Sequence, residues 1–358
     1  MSFDDGAVWQ SLRLELPVTP VHGIEVKGND LVIGTHGRSF YVMDDISVLR
    51  QVTATTINEP VALFRPAGAI RSVSRGVSID YFLKTAPKTV SIEILDSAGS
   101  VIRKFTGPAP EKPESPPQGE GGDEGGRPPT PRAPGKQGIN RFTWDMRYSG
   151  ARDFPGLIMW AGNTRGPVAP PGKYSVRLTA NGVTRTEDFS ITRNEAVKTI
   201  TDADLAEQFK LAKQINDRVN AANEAVLRIR SVKDQITARL AKTSDSAIKA
   251  AGEPLIEKLT SVEGEIYQYR NRSSQDPLNY PIRLNNKLAA LQGLVEIGDS
   301  KPTDQSYAVF KELSGRLDKQ FGQLDSLFSI DLANLNKLLQ RKKIAPIKDV
   351  VPAETDGK

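Results

Sequence analysis

The chain has 358 residues, 38% hydrophobic and 25% charged, and its net charge of +5 is spread through interleaved Lys, Arg, Asp and Glu. That length calls for two or three domains, and without a basic block or stripe nucleic acid is disfavoured as a partner. There is no cysteine, which excludes disulfides, thiolate metal sites and a cysteine nucleophile. No apolar run reaches the length of a membrane span, and no signal-peptide core stands at the N-terminus.

Residues 2–9 read Ser2-Phe3-Asp4-Asp5-Gly6-Ala7-Val8-Trp9, an S-x-D-x-G-x-x-W box. Ser2 and Asp4 are short side chains suited to bonding the backbone of a tight turn. Gly6 supplies a positive φ, and Trp9 offers a large ring to anchor the turn on a sheet. The box with a strand from Trp9 to Leu14 completes one blade-like unit. Three further runs, 22–27, 30–36 and 39–44, read as short strands, with Gly28-Asn29 and Gly37-Arg38 as hairpin signals. One or two blades cannot close a ring of roughly four to eight, so the chain reads as the tail of a longer protein.

Residues 51–68 are a linker marked by Pro60 and Pro66. Residues 69–194 read as a β-sandwich. The runs 77–83, 89–95, 101–106, 139–146, 173–179 and 184–191 are short and alternating, with turns at Asp96-Ser97-Ala98-Gly99 and Asn181-Gly182. Within this region, residues 107–138 are dense in Pro, Gly and Glu and are expected to be a disordered insert. Residues 201–342 are helical. A seam of apolar residues from Leu205 to Leu240 recurs at steps of three and four, opened by a Thr201/Asp204 capping box. Three more helices follow, around Leu255–Tyr269, Ile282–Val295 and Thr303–Leu338. Gly252-Glu253-Pro254, Asp276-Pro277 and Gly298-Asp299 punctuate the connections. Short links between amphipathic helices predict an antiparallel four-helix bundle, followed by a flexible tail over 343–358.

The N-terminal box resembles the Asp-box, or BNR repeat, of sialidase-like and sortilin-like propellers. Residues 30–45 (DLVIGTHGRSFYVMDD) are similar to the closing blade of bacterial sortilin-like propeller proteins often labelled glycosyl hydrolases. The resemblance implies a structural role for Ser2, Asp4, Gly6 and Trp9, and a secreted or periplasmic setting. It implies upstream blades as partners, and a fourth strand for the last blade drawn from the other end of the ring. The runs 138–145 and 170–176 resemble the immunoglobulin-like module of flagellar hook-capping and many secreted bacterial proteins, and residues 280–288 look like the C-terminal region of the same propeller proteins.

Chemistry is thinly represented. The two histidines, His22 and His36, lie in blade strands, with no G-x-S-x-G elbow and no H-E-x-x-H spacing. Glycoside hydrolysis needs two carboxylates about 5–10 Å apart. Asp4, Asp5, Glu25, Asp44 and Asp45 are the propeller acids, and Arg38 and Tyr41 are the local residues a sialidase-like site would use. His36, Arg38, Tyr41 and Asp44 are therefore the ligand-face candidates. The apolar run holding Phe154, Met159 and Trp160 reads as a loop folded over the sandwich edge, with an aromatic platform for a sugar or peptide as the alternative. Tyr267 and Tyr269 read as bundle packing. No cofactor or metal is expected. The function expected is a non-catalytic accessory region that binds protein or carbohydrate. One alternative is part of a glycosidase-like hydrolase whose site lies in upstream blades. The other is a structural protein that self-associates through the long helix or an open blade edge.

Overall fold

The computed structural model describes residues 1–2, 6–53, 55–107 and 131–352 and is a mixed β plus α structure with several sheets and a C-terminal helical region. The described residues fall into two units. One draws on residues 1–107, 131–146 and 171–194, the other on 147–170 and 195–352.

The first unit opens with β1 (Val21–Lys27), β2 (Asp30–Thr35) and β3 (Phe40–Met43), an antiparallel meander in the order β1-β2-β3. Gly28 turns the first hairpin at φ +62° and Gly37 the second at φ +77°, a region glycine enters without a Cβ clash. The strand expected over 9–14 is not formed. The backbone there pairs instead with the chain's first residue, Met1 N and Gln10 O at 2.8 Å and Gln10 N and Met1 O at 2.8 Å. A turn at 13–16 follows, in which Leu16 N donates to Arg13 O.

Eight more strands complete this unit: β4 (Val61–Leu63), β5 (Ala69–Ile70), β6 (Val77–Leu83), β7 (Val90–Leu95), β8 (Val101–Gly107), β9 (Gly138–Trp144), β10 (Gly172–Ala180) and β11 (Val183–Thr192). They form two sheets, β4-β6-β9 and β5-β11-β10-β7-β8, antiparallel except where β5 meets β11. Alternation puts Val77, Ile79, Tyr81 and Leu83 of β6 inside with Tyr174, Val176, Leu178 and Ala180 of β10. The two sheets share one core. Trp144 of β9 meets Tyr174 at 5.9 Å and Phe189 at 6.1 Å between ring centres, and Phe142 meets Phe105 at 4.6 Å. Asp80, on the opposite face of β6, is also buried and is satisfied by a two-pronged pair with Arg141, at 2.8 and 3.1 Å.

Residues 108–130 of the predicted insert lie outside the described residues, but its two ends are held. Gly107 belongs to β8, Ala133 is buried and donates its N–H to Thr106 O, and the Tyr81 hydroxyl donates to Pro134 O. Both ends of the range 107–138 thus belong to the described structure.

The second unit is built on α1 (Asp202–Leu240), α2 (Ser246–Ile266), α3 (Leu284–Val295), α4 (Asp304–Ser326), a π-helical turn over Leu327–Leu332, and α5 (Ala333–Arg341). The capping box forms as predicted: Asp204 N donates to Thr201 Oγ1 at 3.2 Å and Thr201 N to Asp204 Oδ2 at 2.9 Å. Helix α2 runs straight through Gly252-Glu253-Pro254, which do not separate helices. A Cβ at Gly252 would come within 3.1–3.3 Å of Leu240 and Ile236, so the glycine allows α2 to approach α1. That packing outweighs the weak helix propensity of the segment.

Helix directions follow from the cross-contacts. Glu263 of α2 takes Arg230 and Lys233 of α1, while Gly252 meets Ile236 and Leu240, so α2 runs against α1. Along α3, Asn285 bonds Asn223 and Gln292 bonds Asn216, so α3 also runs against α1. Along α4, Tyr307 bonds Glu207 and Asp318 pairs with Arg218, so α4 runs with it. The helices α2 and α3 thus lie one after the other on α1, covering its C-terminal and N-terminal halves. The arrangement is three rods, the middle one broken at residues 267–283, rather than four rods joined by short links. The π-helical turn widens the helix between Leu324 and Leu332 and keeps both buried.

Residues 344–352 of the expected flexible tail are fastened to the helices. Ile347 is 3% exposed, and 353–358 lie outside the described residues.

At the start of α2, Asp245 accepts from Ala247 N and Ile248 N and pairs with Lys342 at 2.8 Å. The Lys342 hydrogen bond, with the backbone donors, holds its carboxyl below the usual carboxylate range. A depressed native value means the stabilisation is present at neutral pH and fades as pH falls through that value. Asp245→Asn, which keeps a good cap but loses the charge, should melt below the parent at pH 6, and the gap should close toward pH 2.

Candidate functional site

The β1–β3 sheet carries the predicted ligand-face residues but does not bring them together. His36 and Arg38 sit in the turn between β2 and β3, Tyr41 within β3, and Asp44 just beyond its far end. Asp44 therefore belongs with the β1–β2 hairpin end, where Asp45 N donates to Asp30 Oδ1 at 3.1 Å. The imidazoles of His22 and His36 stack at 5.3 Å, and His36 N donates to Pro20 O.

Register shows what the sheet does present. Ile24, Ile33 and Tyr41 face each other across the three strands, as do Val26, Leu31 and Met43. On the opposite face lie Phe40, Val32 and Val42. The first face is apolar throughout, while the second also carries Glu25, Lys27 and Asp30; Ile24 on the first is 68% and Phe40 on the second 77% exposed. In the S-x-D-x-G-x-x-W box, Gly6 takes φ +95° and donates its N–H to Ser2 Oγ at 2.8 Å. Trp9 is 73% exposed and anchors no sheet. Asp4 lies outside the described residues.

The run holding Phe154, Met159 and Trp160 belongs to the helical unit, not to a sheet edge. It lies across the break between α2 and α3. The buried Phe154 ring stands edge-on to Tyr267 at 5.1 Å, and the Arg230 guanidinium lies 4.9 Å from one ring centre and 5.3 Å from the other. The Tyr267 hydroxyl donates to Gly156 O at 2.7 Å and accepts from Ile158 N at 3.2 Å. Burial raises its pKa above the ordinary tyrosine value, keeping the hydroxyl in the donor form. Met159 packs against the helical core and Trp160 is 41% exposed, so the run is a packed strap with one ring at the surface.

Side-chain amides hold the strap down. Asn286 brackets Trp160, accepting from its N–H at 2.8 Å and donating to its carbonyl at 2.7 Å. Asn223 Nδ2 donates to Arg152 O, and Asn216 and Gln292 both donate to Arg165 O at 3.0 Å. Glu296 accepts from Val168 N at 2.7 Å and from Arg147 at 3.2 Å. Sequence reasoning missed this row. The available signal was polar residues keeping step with an apolar seam: Gln208, Asn216 and Asn223 interleave with Leu205, Ala212 and Val219 and are buried. The amides satisfy backbone and one another, which is structural chemistry rather than proton transfer.

Among the described residues no group of three or more His, Asp or Glu is placed to hold a metal, and no helix is long and apolar enough to cross a membrane. No family model matches the chain, and no curated protein matches it. Among solved structures, the crystal structure of CopC from Methylosinus trichosporium OB3b is 13% identical, covering 37% of this chain and 95% of that one at a TM-score of 0.19. At that TM-score the likeness carries no argument.

Proposed function

We propose that this chain is a non-catalytic accessory region of a secreted sortilin-like propeller protein. In this reading β1–β3 form a propeller blade, the two larger sheets an immunoglobulin-like sandwich, and the helices a bundle, the last two serving protein or carbohydrate binding. The observation that carries it is the sheet's apolar face, on which Ile24 and Val26 stand exposed. Such a surface is costly in water at about 25 cal/mol per Å², and flanking blades would cover it. The S-x-D-x-G-x-x-W turn held by Ser2 supports the same reading. The separation of His36 and Arg38 from Asp44 favours binding over glycoside chemistry.

Hydrogen exchange tests it. In this chain alone, the amides of Val21–Met43 should exchange far faster than those of α1. In a longer product supplying Asp-box blades ahead of Met1, they should become protected while α1 stays unchanged. Equal protection of Val21–Met43 and α1 in the chain alone would refute the proposal.

A further inference from the structure

Residues 344–352 lie along α1 and α5 in the manner of a bound peptide. Asn336 of α5 brackets Ile347, accepting from its N–H at 2.8 Å and donating to its carbonyl at 3.0 Å. Gln235 of α1 brackets the next residue in the same way, with Lys348 N at 3.0 Å and Lys348 O at 2.9 Å. Arg239 donates to the carbonyls of Ala345 and Pro346 at 2.8 and 3.0 Å. These groups read main chain and would accept many sequences.

Two side chains add selectivity. Ile347 is buried in the helical core. Two residues on, Asp349 takes both Nε and Nη2 of Arg228, at 2.9 and 2.6 Å. Arg228 is itself oriented over the Phe328 ring at 5.1 Å, on the π-helical turn, and π-turns are frequent at functional sites. Beyond Asp349 the same surface continues as an open groove of about 480 Å³, floored by Ala221, Ala225 and Leu324 and edged by Glu224 and Asp325.

We propose that this surface is a recognition site for an extended peptide, and that the chain's own tail is its resident occupant. The partner it fits is an extended segment of another protein with an aliphatic side chain followed two residues later by a carboxylate. Main-chain bonds supply affinity and the two side chains supply choice, as in other extended-peptide sites. The tail competes at the roughly millimolar effective concentration of a tethered segment, so a partner gains access as the tail leaves.

The test uses the full chain. Ile347→Asp combined with Asp349→Arg removes the anchor and the acid and releases the tail. A fluorescein-labelled IAPIKDVV peptide is then titrated and followed by anisotropy. The released variant should bind it saturably and at least about tenfold more tightly than the unaltered chain. Adding Asn336→Ala, or replacing the peptide's aspartate by lysine, should weaken binding roughly tenfold, the scale of a lost pair of hydrogen bonds. A released variant with parental α1 protection and no saturable binding would overturn the proposal, as would equal binding by the unaltered chain. If that variant fails to fold, Asp349→Arg alone, which alters only the tail, decides. Faster tail exchange, unchanged α1 exchange and gained peptide binding support the proposal, and an unchanged tail or no gained binding refutes it.

Discussion

Replacing Trp144 by alanine should destabilise the sheet unit by about 3–5 kcal/mol, the range for truncating a buried aromatic. The indole is fully buried and touches Tyr174 and Phe189 on the facing sheet, so its loss removes a shared wall rather than a side chain on one strand. Partial collapse of the neighbouring rings sets where in that range the value falls. Denaturant-dependent hydrogen exchange at the β6 and β9 amides gives the measurement. Trp160→Ala provides the contrast: that ring is 41% exposed, and its truncation should move stability by no more than about 0.5 kcal/mol. Similar losses for the two variants would mean that the sheets do not share a core around Trp144.

The second large effect belongs to the helical unit. Phe154→Ala should cost about 3–5 kcal/mol, because the ring is buried between Tyr267 and Arg230 at the break in the middle rod. Its loss leaves the strap over 147–170 held mainly by amide and carboxylate bonds. Protease should then cut within that strap before it cuts α1. Tyr267→Phe should cost less, about 1–3 kcal/mol, since it keeps the ring and removes only the hydroxyl that joins Gly156 and Ile158. If Phe154→Ala left both thermal midpoint and cleavage pattern unchanged, the strap would not be part of the helical core.

The local rules read well wherever one face of an element is buried. Val77-x-Ile79-x-Tyr81-x-Leu83 announces β6 by alternation, the seam from Leu205 to Ile236 announces α1, and Thr201/Asp204 marks its start. Two kinds of feature escaped. The strands β4 and β5 are too short to show a period. The fastening of residues 147–170 to the helices rests on Asn and Gln side chains whose partners lie far along the chain, such as Asn286 and Trp160. Helix direction escaped for the same reason. Periodicity fixes which side of α3 is buried but not which half of α1 it covers. In the candidate site, residue types suggested a ligand face, and register then distributed them, since His36 and Asp44 stand at opposite ends of β3.

The broken middle rod has a mechanical corollary. The long helix is gripped at its two halves by separate pieces of chain, so loosening α2 leaves α3 seated, and the reverse. Opening confined to one end is thus an ordinary sub-global fluctuation. The tail brackets to Gln235 and Asn336 sit at the end governed by α2, while the anchor of Arg165 to Asn216 sits at the other. A disturbance at the tail brackets therefore need not reach the Arg165 anchor.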